Sequence, residues 1–180
     1  MSLCNFGNGD TPIAAARSDV LIANAYFFPG REFRTALVAC ARRGVRVRLL
    51  LQGRIEYPVQ HYAQEALYSQ LLAAGIEIHE YTASYLHAKA AVVDETWATV
   101  GSSNIDPYSL LLAREANVGV YDARFARLLR AALERAIEHE SRRVNSEAFA
   151  GRGLLRRAVN WIAYGIVRFG AVALAGGRDY

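Results

Sequence analysis

The chain has 180 residues, 53% of them hydrophobic, enough to bury the core of one domain and too many for a disordered polymer. Its formal charge of +4 suits an anionic partner, lipid headgroup or nucleic acid, without choosing between them. Cys4 and Cys40 lie far apart with no metal-ligand spacing and read as reduced thiols, Cys40 on the apolar face of a helix.

Residues 1–18 read as a flexible lead, without the basic start and apolar core of a signal peptide. Asp19 opens a first strand that is almost wholly apolar, as expected where both faces are covered. Tyr26, Phe27 and Phe28 close it. They either line a mouth at the strand's carboxyl end, where α/β sheets bind ligands, or plug the core under the first helix. That helix is predicted over 31–43, with Phe33, Leu37 and Cys40 inward and Gly44 as its cap. A second strand follows over 45–51; Arg46 and Arg48 share one face and are expected near an edge, or snorkelling. Arg54, in the next loop, is a solvated charge or a headgroup contact. A second helix is predicted over 61–74, with His61 on the surface. A third strand over 76–81 carries His79, read as structural because no Cys or carboxylate stands at metal-ligand spacing.

Residues 86–93 read as a strand, so His87 and Lys89 share a face. An imidazole that can stay neutral beside an ammonium is an awkward pair to bury and a good pair to grip and attack an anion. Asp94 and Glu95 turn the chain, and Trp97–Gly101 returns as the partner strand of a hairpin. Its end delivers Gly101, Ser102, Ser103 and Asn104 beside His87 and Lys89. A turn and short helix are expected over 105–112. A strand over 114–121 follows, with Glu115, Asn117 and Gly119 on one face. Asp122 caps a helix over 123–143, whose stripe of Phe125, Leu128, Leu129, Ala132, Leu133, Ala136 and Ile137 is expected to be buried. Glu138 and Arg142 are spaced as an ion pair on it, and His139 reads as a surface residue. Residues 145–153 read as a linker. Residues 154–174 are strongly apolar but interrupted, short of the roughly 20 unbroken residues that span a bilayer. On a helical wheel Arg157, Asn160, Tyr164 and Arg168 fall on one face, and Ile162, Ile166, Val167 and Phe169 look away. Such a helix lies in a membrane interface with its basic side up, or packs on its own domain or a partner copy.

The β-α-β-α-β order predicts a layered α/β/α sandwich with a mixed central sheet, followed by a C-terminal amphipathic helix. The expected organisation is a lead over 1–18, one domain over 19–145, and a linker with a membrane-interfacial tail over 146–180.

The pattern His87-x-Lys89-x4-Asp94, followed by Gly101-x-Ser103-Asn104, resembles the HKD motif of the phospholipase D superfamily. The flanking segments ANAYFFPGREFRTAL, RRGVRVRLLLQG and WATVGSSNIDPYSLLLAREANV resemble the C-terminal half of bacterial cardiolipin synthases. Those synthases carry two such motifs; one is visible here. The resemblance implies a phospholipase D-like half that transfers a phosphatidyl group through a phosphohistidine on His87. It implies Lys89 and Asn104 on the non-bridging oxygens, Ser102 in the pocket, Ser103 orienting the turn, and Asp94 as a structural acceptor among the site residues. Glu115 is the candidate partner that fixes an imidazole tautomer, with a strand-end salt bridge as its bland alternative. No cofactor or metal is called for. The second histidine would come from another copy of the chain or from the other half of a two-motif enzyme. The implied setting is a phospholipid substrate at the cytoplasmic face of a bacterial cell membrane. Two alternatives stand: a homodimeric phosphodiesterase acting on nucleic acid, and an inactive half that binds lipid or a partner.

Overall fold

The structure, a computed structural model, describes residues 11–107, 109 and 114–174. Seven strands form one mixed sheet: β1 (Asp19–Asn24), β2 (Arg46–Gln52), β3 (Glu77–Tyr81), β4 (Lys89–Val93), β5 (Trp97–Gly101), β6 (Asn117–Val120) and β7 (Ser141–Arg143), in the order β6-β5-β4-β1-β2-β3-β7. β1, β2 and β3 run parallel, while β4, β5, β6 and β7 add antiparallel. The helices are α1 (Pro12–Ala15), α2 (Arg31–Arg42), α3 (Pro58–Ala73), α4 (Ala123–Glu140), α5 (Ser146–Ala150) and α6 (Leu154–Leu174).

Alternation along the central strands decides the layers. Val20 and Ile22 of β1 and Leu49 and Leu51 of β2 look toward α1, α2, α3, α5 and α6. Leu21, Ala23 and Leu50 look the other way, toward Ala126 and Leu133 of α4. The result is the expected layered α/β/α sandwich.

Several expectations need correction. The lead is partly structured: Thr11 caps α1, and Ile13 lies in the core, where its carbonyl accepts from the buried Cys40 thiol. Cys4 lies outside the described residues, as does most of the short helix expected over 105–112. Asp122 caps α4 as predicted, but that helix stops at Glu140. The chain then becomes the edge strand β7, so Arg142 pairs with Glu80 and not with Glu138. Half of the predicted α4 stripe stays out of the core. Phe125 and Leu128 are exposed because only one narrow line of the helix, through Ala126 and Leu133, meets the sheet. The supposed linker holds α5, which seats Phe149 on Tyr68.

The tail is a helix over the predicted residues, but its wet face was misassigned. Asn160, Ala163, Val167 and Ala171 are all buried. Tyr164 stacks on Phe28, and Arg152 and Arg156 reach Glu65 of α3 at 2.9 Å each. Burial pushes the Glu65 carboxyl up. Hydrogen bonds from His61 and Arg152, with the charges of Arg152 and Arg156, outweigh that and bring it to about 2.

Arg48 is neither at an edge nor snorkelling. Strand β2 is interior, so its guanidinium is buried, held by Asp19 at 3.0 Å and Glu134 at 2.9 Å. Arg46, one turn of the pleat away, reaches solvent and pairs with Glu77 at 2.7 Å. Removing Arg48 leaves two carboxylates, one of them buried, to share the single guanidinium of Arg130. Arg48→Ala is therefore expected to lower the unfolding free energy by about 3–5 kcal/mol. Arg46→Ala should lower it by less than about 1 kcal/mol, both read by urea denaturation.

Candidate active site

The site gathers at the carboxyl ends of β1 and β2. Each of these strands ends its apolar run on one buried amide, Asn24 and Gln52. A buried amide needs partners. Asn24 Oδ1 accepts from the Ile105 N–H at 3.1 Å, and the Phe28 N–H donates to the Ile105 carbonyl. The turn after Asn104 is thereby pinned to the end of β1. Gln52 Oε1 accepts from the Leu86 N–H at 2.9 Å, which holds the residues before His87 to β2. In the register of β1 with β4, Asn24 stands opposite Lys89.

His87 precedes β4 and is exposed, whereas Lys89, the first residue of β4, is buried. Lys89 Nζ lies 3.2 Å from His87 Nδ1 and 3.4 Å from Nε2, within reach of both ring nitrogens. Burial pushes the Lys89 ammonium below its usual range, and the charges of Glu115 and Asp106 pull it back. A cation held in a dry place beside an open imidazole can grip an anion and offer it a nucleophile.

The β4–β5 hairpin turns through Asp94 and Glu95, both with positive φ (50° and 55°), the backbone that a tight hairpin turn needs. The Asp94 carboxylate accepts the N–H groups of Arg17, Ser18 and Asp19 and the Ser18 hydroxyl, which ties the hairpin to the start of β1. It stands at the far end of β4 from Lys89, as a structural acceptor. Gly101 ends β5 where β6 comes closest. A Cβ there would meet Asn117 Oδ1 at 1.9 Å and the Ala116 carbonyl at 2.5 Å. The Ser102 hydroxyl accepts from the Ala116 N–H, and the Ser103 hydroxyl accepts from Asn117 Nδ2 at 2.8 Å. Both serines thus clasp the strand end. Asn104 Oδ1 is buried and has no hydrogen-bond partner among the described residues.

Glu115 is exposed, in the extended segment before β6, and makes no hydrogen bond to His87 among the described residues. Its charge is felt at Lys89. A cleft adjoins the site, lined by Tyr26, Gln52, Arg54, Tyr57, Asp106 and, from α6, Val167. Tyr26 donates to Glu56; its burial, that bond and the Glu56 charge hold the phenol well above its usual range. Phe27 and Phe28 are buried in the core and also form part of the cleft wall, so these two aromatics serve both of the expected roles. Arg54 donates to the carbonyls of Thr82 and Ala83 at the cleft edge.

His61 is not the surface residue it was expected to be. Its ring is largely covered, lines the cleft and stands 3.6 Å from Glu65. His79 is buried beside Glu77, and His139 is on the surface, as expected. Asn24, Gln52 and Asp106 were missed as residues that build the site. The signal was present for two of them: a single amide closing an otherwise apolar strand.

Solved structures share this fold. Nuc from Salmonella typhimurium, a phospholipase D family member, superposes with a TM-score of 0.64 at 21% identity over 75% of this chain and 87% of that one. Phosphatidylserine synthase from Haemophilus influenzae gives 0.67 at 14% identity over 92% of this chain and 42% of that one. The fold is a phospholipase D-like domain. Residues 11–137 match the family described as cardiolipin synthase, PLD-like domain, and the chain belongs to that family. Cardiolipin synthase B of Escherichia coli K12 is 45% identical over 133 residues, 74% of this chain. Those residues are 32% of that protein, so the chain spans about a third of its relative's length.

Two outcomes follow from this geometry. Burial pushes the Asp94 carboxyl up, but the N–H groups of Asp19, Ser18 and Arg17 and the Ser18 hydroxyl outweigh it and bring it below the ordinary 3.8. The stability gained is complete above pH 3.8 and disappears as pH falls through the depressed value. Asp94→Asn is expected to be less stable than the parent by about 1–2 kcal/mol at neutral pH, with the gap closing in strong acid, read by urea denaturation across pH. Gly101→Ala should destabilise by about 1–3 kcal/mol in the same assay, because the Ala116 backbone cannot move aside.

Proposed function

We propose that the chain is a phosphatidyltransferase of cardiolipin synthase type, working with a second histidine from another copy or from the other half of a two-motif enzyme. The observation that carries this reading is the exposed His87 ring, 3.2 Å from the buried Lys89 ammonium. The name of its 45% identical relative supports the substrate class.

In the proposed reaction a neutral ring nitrogen of His87 attacks the phosphorus of a phospholipid phosphodiester. A P–N bond forms, the P–O bond to the leaving alcohol breaks, and the facing histidine gives that oxygen its proton. The same histidine then takes the proton of an acceptor alcohol, such as a second phosphatidylglycerol. That oxygen attacks phosphorus, the P–N bond breaks, and His87 is regenerated. Lys89 and the Asn104 side-chain amide, donating through its Nδ2, hold the non-bridging oxygens as charge builds on them. Ser102 and Ser103 shape the turn that presents Asn104. Glu115 fixes the tautomer of a catalytic imidazole. The setting we infer is the cytoplasmic face of a bacterial membrane. Among the described residues no helix is long and apolar enough to cross a bilayer.

A second reading, a homodimeric phosphodiesterase acting on nucleic acid, rests on the single motif visible in the chain. Conversion of phosphatidylglycerol followed by thin-layer chromatography, beside plasmid nicking, separates the two. His87→Ala should reduce lipid transfer at least ~10³-fold, and Asn104→Ala should lower kcat ~10²-fold or more with a smaller change in KM. Undiminished turnover by the His87 variant would remove the histidine from the mechanism.

A further inference from the structure

Helix α6 has used one face and left the other open. Asn160, Ala163, Val167 and Ala171 are spent on its own domain. A surface helix packed in this way ordinarily turns polar residues outward. This one turns out Leu155, Ile162, Ile166 and Phe169, with Leu155 80% and Phe169 77% exposed.

The direction of the helix gives that face a place. Arg156 lies by Glu65 and Tyr62 of α3, while Ile166 and Val167 share a groove with Tyr57 and Gln60. The two helices are thus antiparallel, and the second half of α6 reaches the rim of the cleft beside Lys89. Ile55, Tyr57 and Val59, all exposed, extend the apolar surface along that rim.

Charge selects the occupant. α6 carries Arg156, Arg157 and Arg168 and no acidic residue. Arg156 is engaged by Glu65. At 100° per residue, Arg157 and Trp161 fall together along one border of the apolar strip. A second copy meeting this face through a two-fold axis would bring like charges together. An anionic lipid surface accepts each part: aliphatic side chains at the acyl boundary, tryptophan at the interface, Arg157 among phosphates.

We propose that the outward face of α6, with Ile55, Tyr57 and Val59, docks the mouth of the cleft onto an anionic bilayer. The proposal rests on the lipid reading above and specifies the surface that serves it. It keeps the orientation expected from the wheel, with Ile162, Ile166 and Phe169 toward the membrane, and adds that α6 is clamped to the domain by the contact of Arg156 with Glu65. A headgroup then enters the cleft from the bilayer plane, close to where Lys89 waits.

The test is flotation of the full chain with vesicles of phosphatidylcholine alone or in equal mixture with phosphatidylglycerol, done with His87→Ala so that binding needs no turnover. The chain should float with the mixed vesicles. The double variant Ile162→Glu/Phe169→Glu should bind them at least ~10-fold more weakly, since two exposed apolar contacts are replaced by charges. Arg157→Glu should weaken binding, and Leu128→Glu, on the exposed side of α4, should not. All variants should melt with the parent. Undiminished flotation of the double variant overturns the proposal. So does a parent that ignores vesicles but forms a dimer split by the double variant, which would assign the face to a second copy. A protein that transfers lipid in detergent micelles yet never floats defeats the docking face alone; one that floats but transfers nothing defeats only the catalytic reading.

Discussion

A buried amide at the end of the central strand organises this site. Asn24 sits where water cannot reach it, so its carbonyl oxygen must find a donor within the protein. It takes the N–H of Ile105, a residue far away in sequence. Opposite it in the sheet stands Lys89. One satisfied polar group therefore brings the turn that carries Asn104 to the strand that carries the ammonium. Gln52 does the same for the approach to His87 from the neighbouring strand. Two amides, each closing an apolar run, hold the candidate site segments at the ends of β1 and β2.

The electrostatics follow from that placement. Lys89 is dry enough for its ammonium to be weakened, yet Glu115 and Asp106 keep it in favour of charge. His87 remains open to solvent only two residues away. On the other face of the sheet, Arg48 is enclosed by carboxylates of β1 and α4. The two cations show how burial alone does not assign a role. Arg48 has carboxylate partners at hydrogen-bond distance, whereas among the described residues Lys89 has the ring nitrogens and carbonyl of His87 within such reach. The charge of Arg48 is matched by carboxylates in contact with it; that of Lys89 is not.

The tail shows what a helical wheel can and cannot decide. Periodicity located α6 and its amphipathic character, because the spacing of apolar and polar side chains is a local property. It could not tell which side was the packing side. Asn160 was grouped with the arginines as polar, but α3 buries it together with Ala163 and Val167, since small side chains let the two helices approach closely. Glu65, on a helix nearly a hundred residues earlier, draws Arg152 and Arg156 to that seam. The same limit applies to α4, where an apolar stripe read as core is half exposed.

By itself, the sequence determined the order of the central strands and helices, the hairpin, the Asp122 cap and the motif spacing that singles out His87, Lys89 and Asn104 as candidates. All of these depend on residues close together along the chain, where alternation, turn chemistry and motif spacing are legible. Tertiary structure alone decided that Arg48 is interior, that His61 lines a cleft, that residues 141–143 form an edge strand, and which face of α6 is outward. Each of these depends on a partner distant in sequence. A side chain's burial and charge pairing are set by what folds against it, and local pattern carries no record of that.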